Sequence, residues 1–99
     1  MKTISKYTPP STQDLESLKH SLGFTGNQMA QLVGIAEGRQ WRKYTGGSAP
    51  RELSAQLLFM LAARLALDED QLDAVYSKMR AIGAEVDLEE SLTIKSPLV

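Results

Sequence analysis

Arg39, Arg42 and Lys43 place three cations within five consecutive positions of this 99-residue chain. A guanidinium donates two parallel hydrogen bonds to a guanine edge or a phosphate, and an ammonium serves either partner as a point charge. Gln40, among them, has the donor and acceptor that an adenine edge requires. On a helical wheel at about 100° per residue with Trp41 at the origin, Tyr44 lies at about 300°, so the buried direction is near 330°. Arg39 then falls at about 160°, Arg42 at about 100° and Lys43 at about 200°, around the outward direction, with Gln40 on the flank at about 260°. The spacing predicts a short helix from about Glu37 to Thr45, anchored by two aromatics and basic on its far side. An ordinary solvated face is the alternative for any such charge run.

A helix this short needs a brace, and the preceding residues supply one. Thr25 with Gln28 three residues on is a Thr-x-x-Gln capping box, which ties two orphan amides at a helix start. Met29, Leu32 and Val33 make an apolar face, and Gly34 stops the helix after about two and a half turns. Gly34-Ile35-Ala36 then links it to the basic helix. A first helix bracing a second across a tight glycine-containing turn is the anatomy of a helix-turn-helix, here at about residues 25–46.

The same stretch resembles a known family. Phe24 to Ile35 (FTGNQMAQLVGI), followed by Gly38 to Gly47 (GRQWRKYTGG), is similar to the Cro/phage-repressor-like (Xre-type) helix-turn-helix proteins. Met29 to Ile35 matches the first-helix pattern of that family. Trp41 and Tyr44 match the core positions of its second helix, and Gly46 matches the stop. The turn and the Trp/Arg-rich helix also resemble a variant found in small phage and prophage proteins. The resemblance covers about residues 12–66. Three positions depart from it: Gly26 stands where Gln is common, Ala36 replaces the usual Ser, and one extra residue sits near Glu37-Gly38. The extra residue shifts the family's contact positions by up to one. With that proviso, the resemblance implies a lambda-repressor-like fold and sequence-specific binding of double-stranded DNA by a repressor-type transcriptional regulator. It places Asn27 and Gln28 against the DNA backbone and sets Arg39, Gln40, Arg42 and Lys43 to read bases or grip phosphates. Because one such helix covers only a few base pairs, a homodimer on paired half-sites is expected.

The remaining elements frame this pair. Residues 1–10 are expected to be a flexible arm, since Pro9-Pro10 cannot enter a helix. Ser11 or Thr12 caps a helix carrying Leu15, Leu18 and Leu22, which Gly23 ends. Asp14 and Glu16 favour its first turn, and His20 suits the dipole near its end. Ser48 is a candidate N-cap with Pro50 in the first turn of a fourth helix. Leu53, Leu57, Leu58, Leu61 and Leu65 recur along that helix, and residues 57–63 are apolar nearly all round, which predicts the buried centre of the domain. Asp68 caps a fifth helix with a stripe of Leu72, Val75, Tyr76, Met79 and Ile82, extending towards Val86. The stripe either completes the core or forms a dimer seam. The expected architecture is an all-α compact bundle of about five helices: arm 1–10, helical domain 11–87 and a C-terminal tail 88–99, disordered or added as a strand to a partner.

Composition limits the alternatives. The net charge is −1, yet residues 1–66 carry eight Lys/Arg against four Asp/Glu, and residues 67–99 carry three against eight. A local basic face, rather than the sum, is what nucleic acid attracts. The chain contains no cysteine and a single histidine, so thiolate metal sites and disulfides are excluded. His20 lacks triad partners, and no phosphate-binding glycine loop appears, because Gly46-Gly47 has no preceding strand and no following Lys-Ser/Thr. Asp68, Glu69, Asp70 and Asp73 lack calcium-loop spacing. No enzymatic activity, catalytic residue, cofactor or metal is therefore expected. No apolar run approaches the roughly 20 residues needed to cross a bilayer, and the first residues lack a signal-peptide core, so a cytoplasmic protein without membrane contact is expected. Two alternatives keep the same fold: an antitoxin or DNA-packaging protein, the antitoxin using residues 84–99 to hold its partner, and a protein-binding module using the second-half stripe.

Overall fold

The computed structural model describes residues 1–90 and 92, and among these the protein is all-α with five helices: α1 Thr12–Leu22, α2 Gly26–Val33, α3 Gly38–Thr45, α4 Ala55–Ala66 and α5 Glu69–Ile82. Local chemistry sets most of their ends. Ser11, Thr25 and Asp68 each accept from the amide three residues on, and the side chains of Asp14, Gln28 and Gln71 bond back to the cap amides. The Ser11 amide, and secondarily its hydroxyl, holds the Asp14 carboxyl below the usual carboxylate range. The box at α1 is therefore complete above the ordinary aspartate pKa and weakens as pH falls through the lowered value. Gly23 and Gly34 close α1 and α2 with φ of 67° and 89°, a left-handed backbone that only glycine adopts without strain.

The core is built around α2. Its Met29, Ala30, Leu32 and Val33 are buried, and Leu15 of α1, Trp41 of α3, Leu61 of α4 and Leu53, which precedes α4, close over them. An eight-residue helix holds little stability alone, so α2 draws its own from being packed on several sides. Arg64 of α4 locks its C-terminal end: one guanidinium nitrogen donates to the carbonyls of Gln31 and Leu32 at 2.8 and 2.9 Å. Those carbonyls belong to the orphan set at a helix end.

Two expectations for α4 are corrected. The helix does not begin at Ser48–Pro50. It begins at Ala55, with Ser54 as N-cap, its hydroxyl accepting from the Leu57 amide at 3.2 Å. Residues 46–54 stay irregular because the chain must deliver Leu53 to the core, where it is 1% exposed. Its path is held by the Arg51 amide donating to the Lys43 carbonyl at 2.7 Å and by the Leu53 carbonyl accepting from the Tyr7 hydroxyl at 2.6 Å. Nor is α4 the buried centre. Leu61 is its only buried residue, while Phe59 is 68% and Met60 40% exposed. A chain this short has too little mass to surround a helix that is apolar on every side.

The N-terminal arm forms no helix or strand, but it is not free. Tyr7 is half-buried, and Ile4 to Tyr7 border a cleft of about 490 Å³ with Ala55, Gln56 and Phe59. Burial, and to a smaller extent the Glu52 charge, raises the Tyr7 pKa. The hydrogen bond therefore contributes fully below the ordinary tyrosine pKa and is lost as pH rises through the raised value. Tyr7→Phe is expected to cost about 1 kcal/mol, since it leaves the Leu53 carbonyl without its partner. Urea unfolding at neutral pH measures this, and the difference between the two proteins should vanish once the phenol ionises.

The fifth-helix stripe divides. Leu72 and Tyr76 are half-buried, whereas Val75, Met79 and Ile82 are 46%, 40% and 80% exposed, and no residue of α5 is buried. Past Gly83 the chain turns back: Arg80 donates to the Val86 carbonyl at 3.2 Å through Nε and 2.8 Å through Nη2, and Leu92 packs against the core. Residues 88–90 and 92 form neither helix nor strand. The expectation for the rest of the tail concerns residue 91 and residues 93–99, which lie outside the described residues. Among the described residues, no helix is long and apolar enough to cross a membrane.

Candidate nucleic-acid interface

The site begins at a close crossing of two helix starts. Gly38, the first residue of α3, is buried against the first turn of α2. A Cβ on Gly38 would lie 2.5 Å from Asn27 Oδ1, 2.9 Å from the Asn27 amide nitrogen and 3.0 Å from the Gly26 carbonyl carbon. The Gly38 amide donates to Asn27 Oδ1 at 2.8 Å. Glu37, at the N-cap position of α3, makes no cap hydrogen bond with its side chain, so the cap arrives from α2, 11 residues earlier. The turn between the helices thus comprises Gly34 to Glu37, and Gly38, which looked like part of an insertion, is the residue that lets the helices meet.

Gly38→Ala is expected to destabilise by about 2–3 kcal/mol, because the clash includes backbone that cannot rotate away and the cap bond is lost with it. Gly26→Ala is the matched control: its Cβ would meet only ordinary contacts at 3.8 and 3.9 Å, so it should change stability by less than about 0.5 kcal/mol. Paired denaturant melts separate the two.

The anchors and the cations of α3 lie on opposite sides. Trp41 is 1% exposed and Tyr44 half-buried against the core. Arg39, Gln40, Arg42 and Lys43 are exposed. Their side chains are not equally available. Arg39 is engaged by Glu37, with Nη2 at 2.9 Å and Nε at 3.1 Å from the same carboxylate oxygen. Both partners are well exposed, at 78% and 51%, so water screens the pair and a stronger anion can displace the carboxylate. Gln40 Oε1 accepts from the Ala36 amide at 2.9 Å, which turns it towards the link and leaves its amide NH₂ as the free group. A two-point adenine contact would have to break that bond. The Arg42 guanidinium lies over the first turn of α2, where a Cβ on Gly26 would come 3.8 Å from its Nη1. Lys43 has no ion-pair partner among the described residues.

Asn27 and Gln28 both spend their acceptors inside the chain. Asn27 caps α3, and Gln28 Oε1 accepts from the Thr25 amide at 2.8 Å. Each keeps an NH₂, which can only donate, and donors are what a phosphate oxygen needs. The amides of Gly26 and Asn27 belong to the orphan set of α2's first turn. The start of α2 and the outward side of α3 therefore present donors and positive charge, with the Glu37 carboxylate close by.

Sequence spacing missed three features of this surface. Arg51 is exposed, and its amide ties it beside Lys43, so a loop cation joins those of the helix. That pairing depends on the irregular path of residues 46–54 and has no periodic signal. Glu37 as partner of Arg39 was visible as two opposite charges two residues apart. The Asn27 cap left no local pattern, since it spans two helices. No family model, curated protein or solved structure matches the chain. His20 is exposed in the last turn of α1 and takes no part in this surface. Among the described residues, no group of three or more His, Cys, Asp or Glu side chains could hold a metal ion.

Proposed function

We propose that α2 and α3 form a helix-turn-helix and that the protein binds double-stranded DNA sequence-specifically, as a repressor-type transcriptional regulator. The observation that carries this reading is the outward face of α3. Arg39, Arg42 and Lys43 stand exposed on a short helix whose opposite side is anchored by Trp41. A helix of that width fits the major groove, and arginine and lysine there reach guanine edges. The NH₂ groups of Asn27 and Gln28 and the first amides of α2 would hold flanking phosphates, with Arg42 between the two sets. Most of the chain's acidic residues follow Leu67, which leaves the earlier part to meet the phosphates. Two copies on paired half-sites would supply the length of sequence that one α3 cannot cover.

Selection from a pool of random duplexes, followed by salt titration, tests this. Enrichment of a sequence is expected, with an affinity that falls linearly in log–log form as salt rises, by about 0.9 per phosphate neutralised. Absence of both enrichment and low-salt binding would remove the proposal.

A further inference from the structure

We infer that Glu37 is a specificity-determining residue of the α3 face, its carboxylate accepting from the 4-amino group of a cytosine beside the guanine that Arg39 reads. The inference rests on, and deepens, the DNA-binding reading above. It starts from a side chain released from its usual duty. An N-cap residue ordinarily spends its side chain on the first amides of its helix. Glu37 makes no such bond. Asn27 Oδ1 serves the Gly38 amide instead, and the backbone carbonyl of Glu37 accepts from the Gln40 amide at 3.0 Å. The carboxylate is left 51% exposed, against Arg39.

The ion pair uses only half of each partner. Arg39 meets a single carboxylate oxygen, Oε1, through Nη2 at 2.9 Å and Nε at 3.1 Å. Those nitrogens form one edge of the guanidinium fork, and the Nη1–Nη2 edge stays open to the two acceptors of a guanine. Glu37 Oε2 receives no hydrogen bond among the described residues. The pair therefore holds a two-point donor edge and an acceptor side by side, ordered before DNA arrives. The neighbouring amides have the opposite sense: Asn27, Gln28 and Gln40 turn their oxygens inward and leave NH₂ groups to donate. In the major groove, guanine and thymine edges accept, and the amines of cytosine and adenine donate. Adenine sets its N7 acceptor next to its amine, so a carboxylate fits cytosine better. Against any accepting edge the carboxylate is desolvated without a partner, which rejects that sequence. Glu37 thus lowers affinity for DNA at large and sharpens the choice among sequences.

The test compares wild type, Glu37→Ala and Glu37→Gln in selections from one pool of random duplexes. The wild type should enrich a cytosine beside a guanine, and changing that cytosine to thymine should weaken its binding by at least about tenfold. For Glu37→Ala the same change should matter by less than about twofold, with the guanine preference kept. This variant should also bind unselected duplex more tightly, because a carboxylate has left the basic face. Glu37→Gln sheds the charge and keeps an acceptor, so it should bind more tightly with the cytosine preference retained. Glu37 is exposed and its side chain caps nothing, so melting temperatures should stay close to wild type. Identical preferences in wild type and Glu37→Ala, a wild type indifferent to the cytosine, or weaker binding of unselected duplex by Glu37→Ala would each overturn the inference. The two readings fail separately. Salt-dependent binding that enriches a sequence without this cytosine removes the role of Glu37 alone, whereas absence of both enrichment and low-salt binding removes the regulator reading with it.

Discussion

Trp41→Ala is expected to cost about 3–5 kcal/mol, the range for emptying the space of a buried large aromatic. Single domains of this size are commonly stable by only about 5–15 kcal/mol, so the variant should be near the edge of folding at 37 °C. Trp41 is the largest of the fully buried side chains and the one that holds α3 against the core. Its Nε1 is buried with no hydrogen-bond partner among the described residues. An unmet donor costs about 1–3 kcal/mol, and Trp41→Phe removes that penalty together with part of the packing. The phenylalanine variant should therefore lose much less than alanine, about 1–2 kcal/mol. Urea midpoints followed by far-ultraviolet circular dichroism compare all three proteins. Equal losses for Phe and Ala would overturn the expectation that the unmet indole donor costs stability.

Arg39→Ala combined with Lys43→Ala is expected to weaken DNA binding by at least tenfold and to leave the melting temperature nearly unchanged. Both residues are exposed, and such surface changes usually stay within about 0.5 kcal/mol of neutral. Binding should respond much more strongly, because a good base contact is worth about 1–3 kcal/mol. The two roles separate in the data. A lost base contact relaxes preference at one position, while a lost phosphate contact weakens all sequences alike and lowers the salt slope by about one. Glu37→Gln should act in the opposite sense, because it frees Arg39 and removes a carboxylate from the face proposed to meet DNA. Competition on the selected duplex measures all of these, and a double variant with unaltered affinity would take α3 out of the interface.

Much of the frame was legible because it is local. The Thr25–Gln28 box, the Asp68 cap, the glycine stops at 23 and 34, and the sides taken by Trp41 and Arg39 all follow from neighbours within four residues. What escaped was set by distant partners. Ser48 and Pro50 have the chemistry of a helix start, but the need to bury Leu53 keeps residues 46–54 irregular and moves the start to Ser54. Periodicity grouped the apolar residues of α4 and α5 correctly, yet it carries no information on whether another surface covers a face. Phe59 was therefore assigned to a core that does not reach it, and for Ile82 the same pattern did not separate core from dimer seam. At the candidate interface, Asn27 and Gln40 were read as free side chains, and each proved to be a hydrogen-bond partner of the turn or of α3.

The borrowed cap at Gly38 also bears on how the chain opens and closes. An eight-residue helix whose first amide is satisfied from α2 has no means of forming ahead of α2. The two should behave as one cooperative unit in native-state hydrogen exchange, their amides losing protection together at a common opening free energy. The segment offered to a partner would then never fray by itself, and its order would be as durable as the centre of the protein.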